Sequence, residues 1–190
     1  NFVGLMCGIM DQYSSLFGKE DAAMLLDCRS ITHEYLPFHS DDIEILLVDT
    51  KVKHELASTA YNDRREACER GVEIVQLKYP EVRSLRDVTL KMLVENKTPM
   101  GEEVFTKCSF IVEEIDRTQQ AALCLKRNDL VTFGSLMFEA HLGISKLFDV
   151  SCRELDVLVD VALANPKLVI GARMMGGGFG GCTINLVKKN

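Results

Sequence analysis

The sequence lacks the features that mark several common classes of protein. It contains no run of about 18 apolar residues, the length that a membrane-spanning helix needs, so no membrane span is expected. Its formal net charge is −6 and it has no long stretch of lysine and arginine, which argues against binding to nucleic acid. The chain starts at Asn1 without a signal-peptide pattern and ends directly after a predicted strand, so we expect it to be cut from something longer.

Patterns for metal binding and disulfides are also absent. The seven cysteines are odd in number and none belongs to a Cys-x-x-Cys motif, which is typical of reduced, mostly buried thiols in a cytoplasmic protein. They are Cys7, Cys28, Cys68, Cys108, Cys124, Cys152 and Cys182. No histidine shares a helix face with a cysteine or an acid at metal-ligand spacing, so no structural zinc is expected. The histidines are His33, His39, His54 and His141.

Hydrophobic residues make up 47% of the chain, which is enough for a substantial core without disulfides or metal. Short apolar runs predict three strands, at residues 22–27, 34–38 and 43–48. The third run is nearly continuously apolar, which predicts burial on both of its faces. Apolar residues at helical spacing then predict five helices, at residues 57–79, 84–93, 104–122, 130–140 and 155–162.

Helix-capping residues and a closing hairpin complete this pattern. Asp129 is expected to cap the fourth of these helices, and Ser151 with Glu154 to form a capping box at the fifth. The chain closes with a predicted strand, glycine turn and strand over residues 168–187. Antiparallel strands combined with a run of helices indicate an α+β fold, with a domain boundary near residues 50–53, where the strands give way to helices.

The stretch from residue 7 to residue 18 combines a glycine, an acid and a short amphipathic run. It predicts a helix over residues 9–17, with Asp11 in the first turn and Gly18 at the end. Stabilisation of an acid by the amide dipoles of the helix start would explain Asp11 without any function. A functional interpretation is also open, because Gly8 leaves the backbone accessible and a partly buried Asp11 could accept the proton of a hydroxyl.

Six of the thirteen glycines lie between residues 171 and 181. Three of them match the spacing of a dinucleotide-binding motif, but a β-branched strand follows where that motif requires a helix, and no G-K-[ST] phosphate loop occurs. A tight hairpin with positive φ values would need one or two glycines. The larger number indicates that a second backbone or a ligand comes close, so we also consider a role in lining a site.

Four stretches, in their order along the chain, resemble the GHMP family of small-molecule kinases, and within it the kinases that act on galactose. They are residues 7–12 (CGIMDQ), 26–30 (LDCRS), 58–65 (STAYNDRR) and 173–183 (RMMGGGFGGCT). The resemblance covers essentially the whole chain. It implies ATP-dependent phosphorylation of α-D-galactose at O1, with ATP and galactose as substrates and Mg²⁺ as cofactor.

The resemblance also implies roles for individual residues. Asp11 matches the catalytic aspartate that faces the anomeric hydroxyl of the sugar. Gly8 matches a glycine beside the sugar, and Tyr61 a tyrosine whose hydroxyl contacts it. The third family motif, which packs against the active site and closes over the substrate, is matched by Gly176, Gly177, Gly178, Gly180 and Gly181. Met175 stands where many relatives carry threonine, and no metal ligand is expected in this chain.

The resemblance further implies a two-domain GHMP kinase architecture. Residues 1–50 would be a remnant of the N-terminal domain, and residues 51–190 a ferredoxin-like C-terminal domain without its last helix and strand. The two motifs that bind the sugar and the ATP phosphates would precede residue 1. We therefore expect the isolated chain to be inactive, and to self-associate through unpaired strand edges.

Two alternatives to a galactose kinase stay open. One is a related kinase for another sugar, such as N-acetylgalactosamine or arabinose. The other is a sensor that binds galactose and ATP in order to regulate a partner protein and has lost catalysis. The presence of Asp11 disfavours the sensor, and a panel of sugar substrates would separate the kinases.

Overall fold

The computed structural model describes residues 8–52 and 57–189. Two residues discussed above, Cys7 and His54, lie outside the described residues. So does residue 53, the last residue of the predicted domain boundary. The α-helices are α1 (Met10–Phe17), α2 (Ala57–Gln76), α3 (Leu90–Glu95), α4 (Lys97–Lys126), α5 (Leu130–Gly143) and α6 (Arg153–Leu163). The strands are β1 (Ala22–Asp27), β2 (Thr32–Pro37), β3 (Ile43–Asp49), β4 (Val169–Met174) and β5 (Cys182–Lys188). A 3-10 turn (Leu85–Asp87) precedes α3, and a π-helical turn (Ile144–Phe148) follows α5.

The strands form two antiparallel sheets, which together with the helices confirm the predicted α+β class. Strands β1 and β2 form a hairpin in which Leu25 pairs with Glu34. The second sheet has the order β3-β5-β4, so β5 is central, and it includes the predicted closing hairpin. Because β3 pairs with β5, this sheet combines residues from both sides of position 51. The division into domains at residue 50 stays a prediction.

Two of the hydrophobic clusters in the described chain matter most for the position of the loop between β4 and β5. The first lies between α2, α3 and α4 and includes Val75, Leu93 and Cys108, which are fully buried. The second joins α4, α6 and β4, and the partly buried Phe179 of the loop packs against it. The loop is therefore anchored on the main hydrophobic body.

Two glycines allow α5 to approach β4 closely. A Cβ atom added to Gly134 of α5 would lie 2.0 Å from the carbonyl oxygen of Ile170 on β4, so a side chain at this position would force the helix away from the sheet. The facing residue, Gly171, is equally restricted by the backbone of Gly134. None of the helices in the described residues combines the length and apolar character required to span a bilayer.

The predicted burial of the third strand is wrong. Ile45, Leu46 and Leu47 of β3 are each about half exposed. Burial on both faces requires a neighbour on each side and a layer over each face. Among the described strands, β3 lies at the edge of its sheet and pairs only with β5, while α5 and α6 pack against β4 at the opposite edge.

The predictions for the cysteines and for one helix cap also need correction. The six cysteines in the described part of the chain are free thiols, but only Cys108 is fully buried, and Cys28 is exposed. The predicted capping box at the last helix does not form, because the Ser151 hydroxyl donates to the Asp156 carboxylate at 2.6 Å. The Asp129 cap is confirmed, since its carboxylate accepts a hydrogen bond from the Thr132 amide at 3.0 Å.

Candidate active site

The loop between β4 and β5, residues 175–181, has an unusual concentration of left-handed backbone. Positive φ values occur at Gly176 (77°), Gly178 (90°), Gly180 (137°) and Gly181 (79°). Phe179 adopts a φ of 59° as well, which is uncommon for a residue with a side chain. The backbone shape of the hairpin therefore explains four of the loop glycines, more than the sequence pattern alone suggested.

Residues 178–181, the packed half of the loop, lie directly against two other stretches of backbone. A Cβ atom on Gly178 would lie 2.0 Å from the carbonyl oxygen of Val150, and one on Gly180 would lie 2.8 Å from that of Val52. The Phe179 amide also donates to the Val150 carbonyl at 2.7 Å. The predicted close approach of a second backbone is thus confirmed at both glycines.

The far end of the packed half is tied to the segment after β3. The amide and the hydroxyl of Thr50 both donate to the Gly181 carbonyl, at 2.9 and 2.8 Å. Two donors on one carbonyl fix the position at which the loop joins β5. Both ends of the packed half therefore rest on residues that lie far from it in the sequence.

Residues 175–177, the open half of the loop, are exposed and differ in kind. A Cβ atom on Gly176 would meet nothing within 4 Å, and one on Gly177 would meet only the ring of Tyr61, at an ordinary contact distance of 3.8 Å. The φ of Gly177 also lies outside the left-handed region. Neither backbone conformation nor packing within the described chain requires glycine at position 177, which leaves a ligand as the candidate neighbour.

Tyr61 is the predicted sugar-contacting residue that the structure brings to this loop. It lies near the start of α2, and its half-buried ring faces Gly177. The motif of residues 58–65 and the glycine motif, which are more than 100 residues apart in the chain, therefore meet in the fold. This juxtaposition defines the candidate site.

Two cations bind the carbonyls of residues 147–149, the segment that leads to Val150 behind the packed half of the loop. The sequence analysis singled out neither of them. The Arg64 guanidinium donates to the carbonyls of Phe148 (2.9 Å) and Asp149 (3.2 Å) and pairs with the Asp149 carboxylate at 2.9 Å. The buried ammonium of Lys107 donates to the Leu147 carbonyl at 2.7 Å. These carbonyls close the helical segment that leads to Val150, where positive charge is favourable.

The charge of Lys107 has an electrostatic cost. Burial, and secondly the nearby Arg64, lower the pKa of Lys107 from its ordinary value of 10.5. Arg64 belongs to one of the four recognised motifs, so a signal for it was present in the sequence. Lys107 lies on a helix among other charges and carries no such signal.

A buried histidine holds the start of the loop. His141 Nδ1 accepts a hydrogen bond from the Met174 amide at 3.2 Å. Its Nε2 lies 3.2 Å from Asp156 Oδ1, but the angles do not fit a hydrogen bond, so this contact is electrostatic. Burial lowers the pKa of His141 despite the opposing effect of Asp156. The imidazole is therefore neutral near pH 7, as an acceptor at Nδ1 must be.

Asp156 interacts with four polar side chains, those of His141, Ser145, Lys146 and Ser151. Burial would raise the pKa of Asp156, but hydrogen bonds from Ser151 (2.6 Å) and Ser145 (2.8 Å), together with the charge of Lys146, lower it overall. The ionised carboxylate is thereby held beside the imidazole. His141 and this carboxylate are positioning groups for the loop, and no motif in the sequence pointed to either of them.

Asp11 lies where it was predicted in the helix but not in the predicted environment. It occupies the first turn of α1, and its side chain is exposed, so the expected partial burial is wrong. The physical reason is that α1 contains no buried residue and, in the described part of the chain, is covered on one side only. Within the described residues the Asp11 carboxylate forms no hydrogen bond or ion pair with Tyr61 or the glycine loop.

Helix α1 is held by an aromatic cluster. The Tyr13 hydroxyl and His33 Nδ1 are 2.9 Å apart, and the Tyr35 hydroxyl donates to the Phe17 carbonyl at 2.7 Å. The rings of these four residues contact one another. Gly8, just ahead of the helix, is exposed, and a Cβ there would meet nothing within 4 Å. The helix is thus fixed to the β1–β2 hairpin while its Asp11 end stays open.

The described residues do not by themselves form a metal site. No group of three or more histidine, cysteine, aspartate or glutamate side chains in this part of the chain could hold an ion. Magnesium in phosphoryl transfer is commonly held by one or two carboxylates together with substrate phosphates. No catalytic step is therefore assigned to Mg²⁺ on these residues.

Comparison with known proteins identifies similar sequences and folds. Residues 121–190 match a family model described as GHMP kinases C terminal. Human galactokinase is 43% identical over 188 residues, which are 99% of this chain and 46% of the human protein. The galactokinase of Thermotoga maritima is 42% identical over 99% of this chain and 51% of its own length.

A solved structure agrees with these sequence relatives. The galactokinase of Lactococcus lactis, crystallised with galactose, superposes with a TM-score of 0.90 over 98% of this chain and 48% of the other, at 29% identity. The chain thus spans about half the length of the relatives that it matches, and the part that it matches is their C-terminal part.

Proposed function

The chain is a homologue of the galactokinases with a GHMP kinase fold, as its motifs predicted, and on this premise we propose that it supplies part of the active site of a galactose kinase. The complete protein transfers the γ-phosphoryl group of ATP to O1 of α-D-galactose. The observation that carries the proposal is the similarity to galactokinases over 99% of the chain, which includes the glycine loop and the Asp11 helix.

Asp11 acts on the attacking hydroxyl. Phosphoryl transfer depends mainly on positioning and charge stabilisation, and a carboxylate beside the hydroxyl both orients it and accepts its proton. The exposed Asp11 at the start of α1, with an open Gly8 ahead of it, leaves room for a sugar at this place. The aromatic cluster beneath α1 keeps the helix in position without using the carboxylate.

Tyr61 and the open half of the glycine loop form another wall of the sugar site. The contact between the Tyr61 ring and Gly177 supports this, because it joins a hydroxyl-bearing side chain to a stretch of exposed backbone amides. The packed half fixes the loop on the protein body, and the open half faces the ligand. Substrate binding brings this wall and Asp11 to opposite sides of the same sugar.

ATP and Mg²⁺ are included in the proposal because the resemblance to the GHMP kinases implies them. ATP is the phosphoryl donor, and the groups that hold its phosphates are expected outside residues 1–190. The isolated chain is therefore inactive, and ATP-dependent phosphorylation of galactose by the purified chain would contradict this. A cytoplasmic location and self-association of the isolated chain stay predictions, and light scattering tests the second.

The test of the catalytic role is Asp11→Asn in the full-length protein. Loss of a positioned proton acceptor lowers kcat by roughly 10²–10⁴-fold, with little change in the unfolding transition because the side chain is exposed. Asp41→Asn, at another exposed acid, is the matched control and keeps normal turnover. Turnover of Asp11→Asn within a factor of a few of the parent would remove Asp11 from this role.

Sugar specificity is tested on the same protein. Galactose, N-acetylgalactosamine and arabinose are compared by kcat/KM. Galactose is expected to be the best substrate. A clear preference for either of the other sugars would replace the galactose assignment while leaving the kinase assignment intact.

A further inference from the structure

Two cysteines meet where α2 crosses α4. Cys108 of α4 is fully buried, whereas Cys68 of α2 is only partly buried. The Cys108 sulfur lies 3.9 Å from the carbonyl oxygen of Ala67, the residue directly before Cys68. Cys68 packs against the buried hydrophobic cluster that contains Cys108. The site is therefore a pair of adjacent thiols, one inside the core and one at its margin.

The close approach of the two helices depends on a glycine. A Cβ atom on Gly71 would lie 2.2 Å from the Cys108 sulfur, so no side chain fits there. Gly71 follows Cys68 by three residues and shares its helix face. A disulfide requires the two Cα atoms to lie within about 4.4–6.8 Å, a spacing that helices reach only where small residues meet. The missing side chain at Gly71 brings α2 and α4 close together beside Cys68 and Cys108.

The pKa values of the two thiols are shifted in opposite directions. The neighbouring Cys108 thiol lowers the pKa of Cys68 against the effect of burial, and the charge of Lys107 adds to this. The neighbouring Cys68 thiol, together with burial, raises the pKa of Cys108. Cys68 is thus the thiol that carries negative charge more readily and is the one nearer the surface, which is the pattern of a reactive cysteine beside a resolving one.

We propose that Cys68 and Cys108 form an oxidation site that takes a hydroperoxide as its substrate. The Cys68 thiolate attacks one peroxide oxygen, the O–O bond breaks, and a sulfenic acid forms while hydroxide or alkoxide leaves. Cys108 then attacks the Cys68 sulfur and gives up its proton to the departing hydroxide. The S–S bond forms, the S–O bond breaks and water leaves. Overall, two thiols are oxidised and one peroxide is reduced.

The proposed disulfide would lie close to the candidate active site, but its formation does not require the kinase activity. Arg64 lies one helical turn before Cys68, and Lys107 directly precedes Cys108. These are the two cations that bind the carbonyls of residues 147–149 behind the packed half of the loop. A disulfide would fix α2 to α4 at this point. The inference concerns the chemistry of the thiols and stands apart from the proposed kinase activity.

The other thiols provide internal controls. Cys28 is more exposed than Cys68 but has no thiol partner among the described residues. Cys124 lies on α4, as Cys108 does, and burial raises its pKa. If exposure alone decided oxidation, Cys28 would react first. If the adjacent pair decides it, Cys68 and Cys108 react together.

The test uses the reduced 190-residue chain and one equivalent of hydrogen peroxide. Remaining thiols are blocked with N-ethylmaleimide, and the chain is digested without reductant for mass spectrometry. The expected result is the loss of two thiols per chain, with a peptide in which Cys68 is joined to Cys108 as the main product. Oxidation mainly at Cys28, or random disulfides between chains, would overturn the proposal.

Variants separate the roles of the two thiols. In Cys108→Ala, a small apolar substitution for a buried position, Cys68 stops at the sulfenic acid and is labelled by dimedone. Cys68→Ser leaves Cys108 unreactive, and the control Cys124→Ser still forms the 68–108 cross-link. Dimedone labelling of Cys108 in Cys68→Ser, or no labelling of Cys68 in a folded Cys108→Ala, would reverse or refute the assignment. The result for the unmodified chain decides the question even if a variant does not fold.

Discussion

The two halves of the glycine loop use the same residue for different reasons. In the packed half, Gly178 and Gly180 lie against the backbone of Val150 and Val52, and both have positive φ. In the open half, Gly177 has neither a positive φ nor a close neighbour within the described chain other than the Tyr61 ring. Runs of glycine in a motif therefore combine positions that fold the loop with positions that leave room for a ligand.

The supports of the two halves differ in the same way. Arg64, Lys107 and the buried core beneath Phe179 hold the packed half. The open half is approached by the ring of Tyr61, the predicted sugar-contacting residue. If this distinction is correct, changes in the packed half and its supports lower stability, and changes in the open half lower substrate binding.

Gly178→Ala is expected to have the largest effect on folding. The new methyl group would lie 2.0 Å from the Val150 carbonyl oxygen, and the residue would keep a φ of 90°. Backbone strain of about 1–2 kcal/mol and overpacking of about 1–3 kcal/mol add to a loss of about 3 kcal/mol in the free energy of unfolding. Urea unfolding of the 190-residue chain measures it. A loss below about 1 kcal/mol would show that the packed half adjusts freely.

Arg64→Met is the next largest expected change. It keeps the length of the side chain but leaves the carbonyls of Phe148 and Asp149 without their donor, which costs about 2 kcal/mol in unfolding free energy. Arg65→Met is the matched control, because Arg65 is exposed and pairs with Glu69 on the helix surface. Its expected cost is about 0.5 kcal/mol. Equal losses in the two variants would remove Arg64 as a support of the packed half.

Stability should fall with acid through His141, which holds the start of the loop. Burial lowers the pKa of the folded imidazole below its ordinary value of 6.5. Below pH 6.5 the unfolded chain therefore takes up a proton that the folded chain resists, and the folded state loses at most about 1.4 kcal/mol per pH unit from this group. The stability that depends on neutral His141 is fully present above pH 6.5.

The comparison of the parent with His141→Gln isolates this contribution. Urea unfolding between pH 8 and pH 5.5 should show a shallower pH dependence for His141→Gln than for the parent, whatever its stability at neutral pH. Parallel curves for the two proteins would mean that the imidazole takes up its proton as readily in the folded chain as in the unfolded one.

Sequence periodicity predicted the elements of this fold well because it reports local structure. Asp129 at its helix start and the closing hairpin were predicted from nearest neighbours in the chain, and both were confirmed. The burial of β3 was predicted wrongly, since it depends on which strands and helices lie beside it. A hydrophobic run gives the propensity of a strand but not its place in a sheet.

The candidate site shows the same division. The motifs pointed to Tyr61 and the glycine loop, and the fold brings them together. The reason for Gly178 could not be predicted, because Val150 approaches it only after the helices have packed. Lys107 was missed for a similar reason, since a buried lysine that caps a distant carbonyl has the same sequence pattern as a lysine on a helix surface.

Gly177→Ala is expected to have the smallest effect on folding and thereby sharpens the difference between the two halves. Its methyl group would meet the Tyr61 ring at 3.8 Å without overlap, and its φ is not left-handed. The change in unfolding free energy should therefore be within about 1 kcal/mol, because alanine restricts the unfolded chain and this stabilising effect opposes any small loss in packing. In the full-length protein the same methyl group would stand between the exposed backbone and the sugar, so KM for galactose should rise clearly. An unchanged KM would leave Gly177 without a functional reason, and the distinction between the two halves would then be one of packing alone.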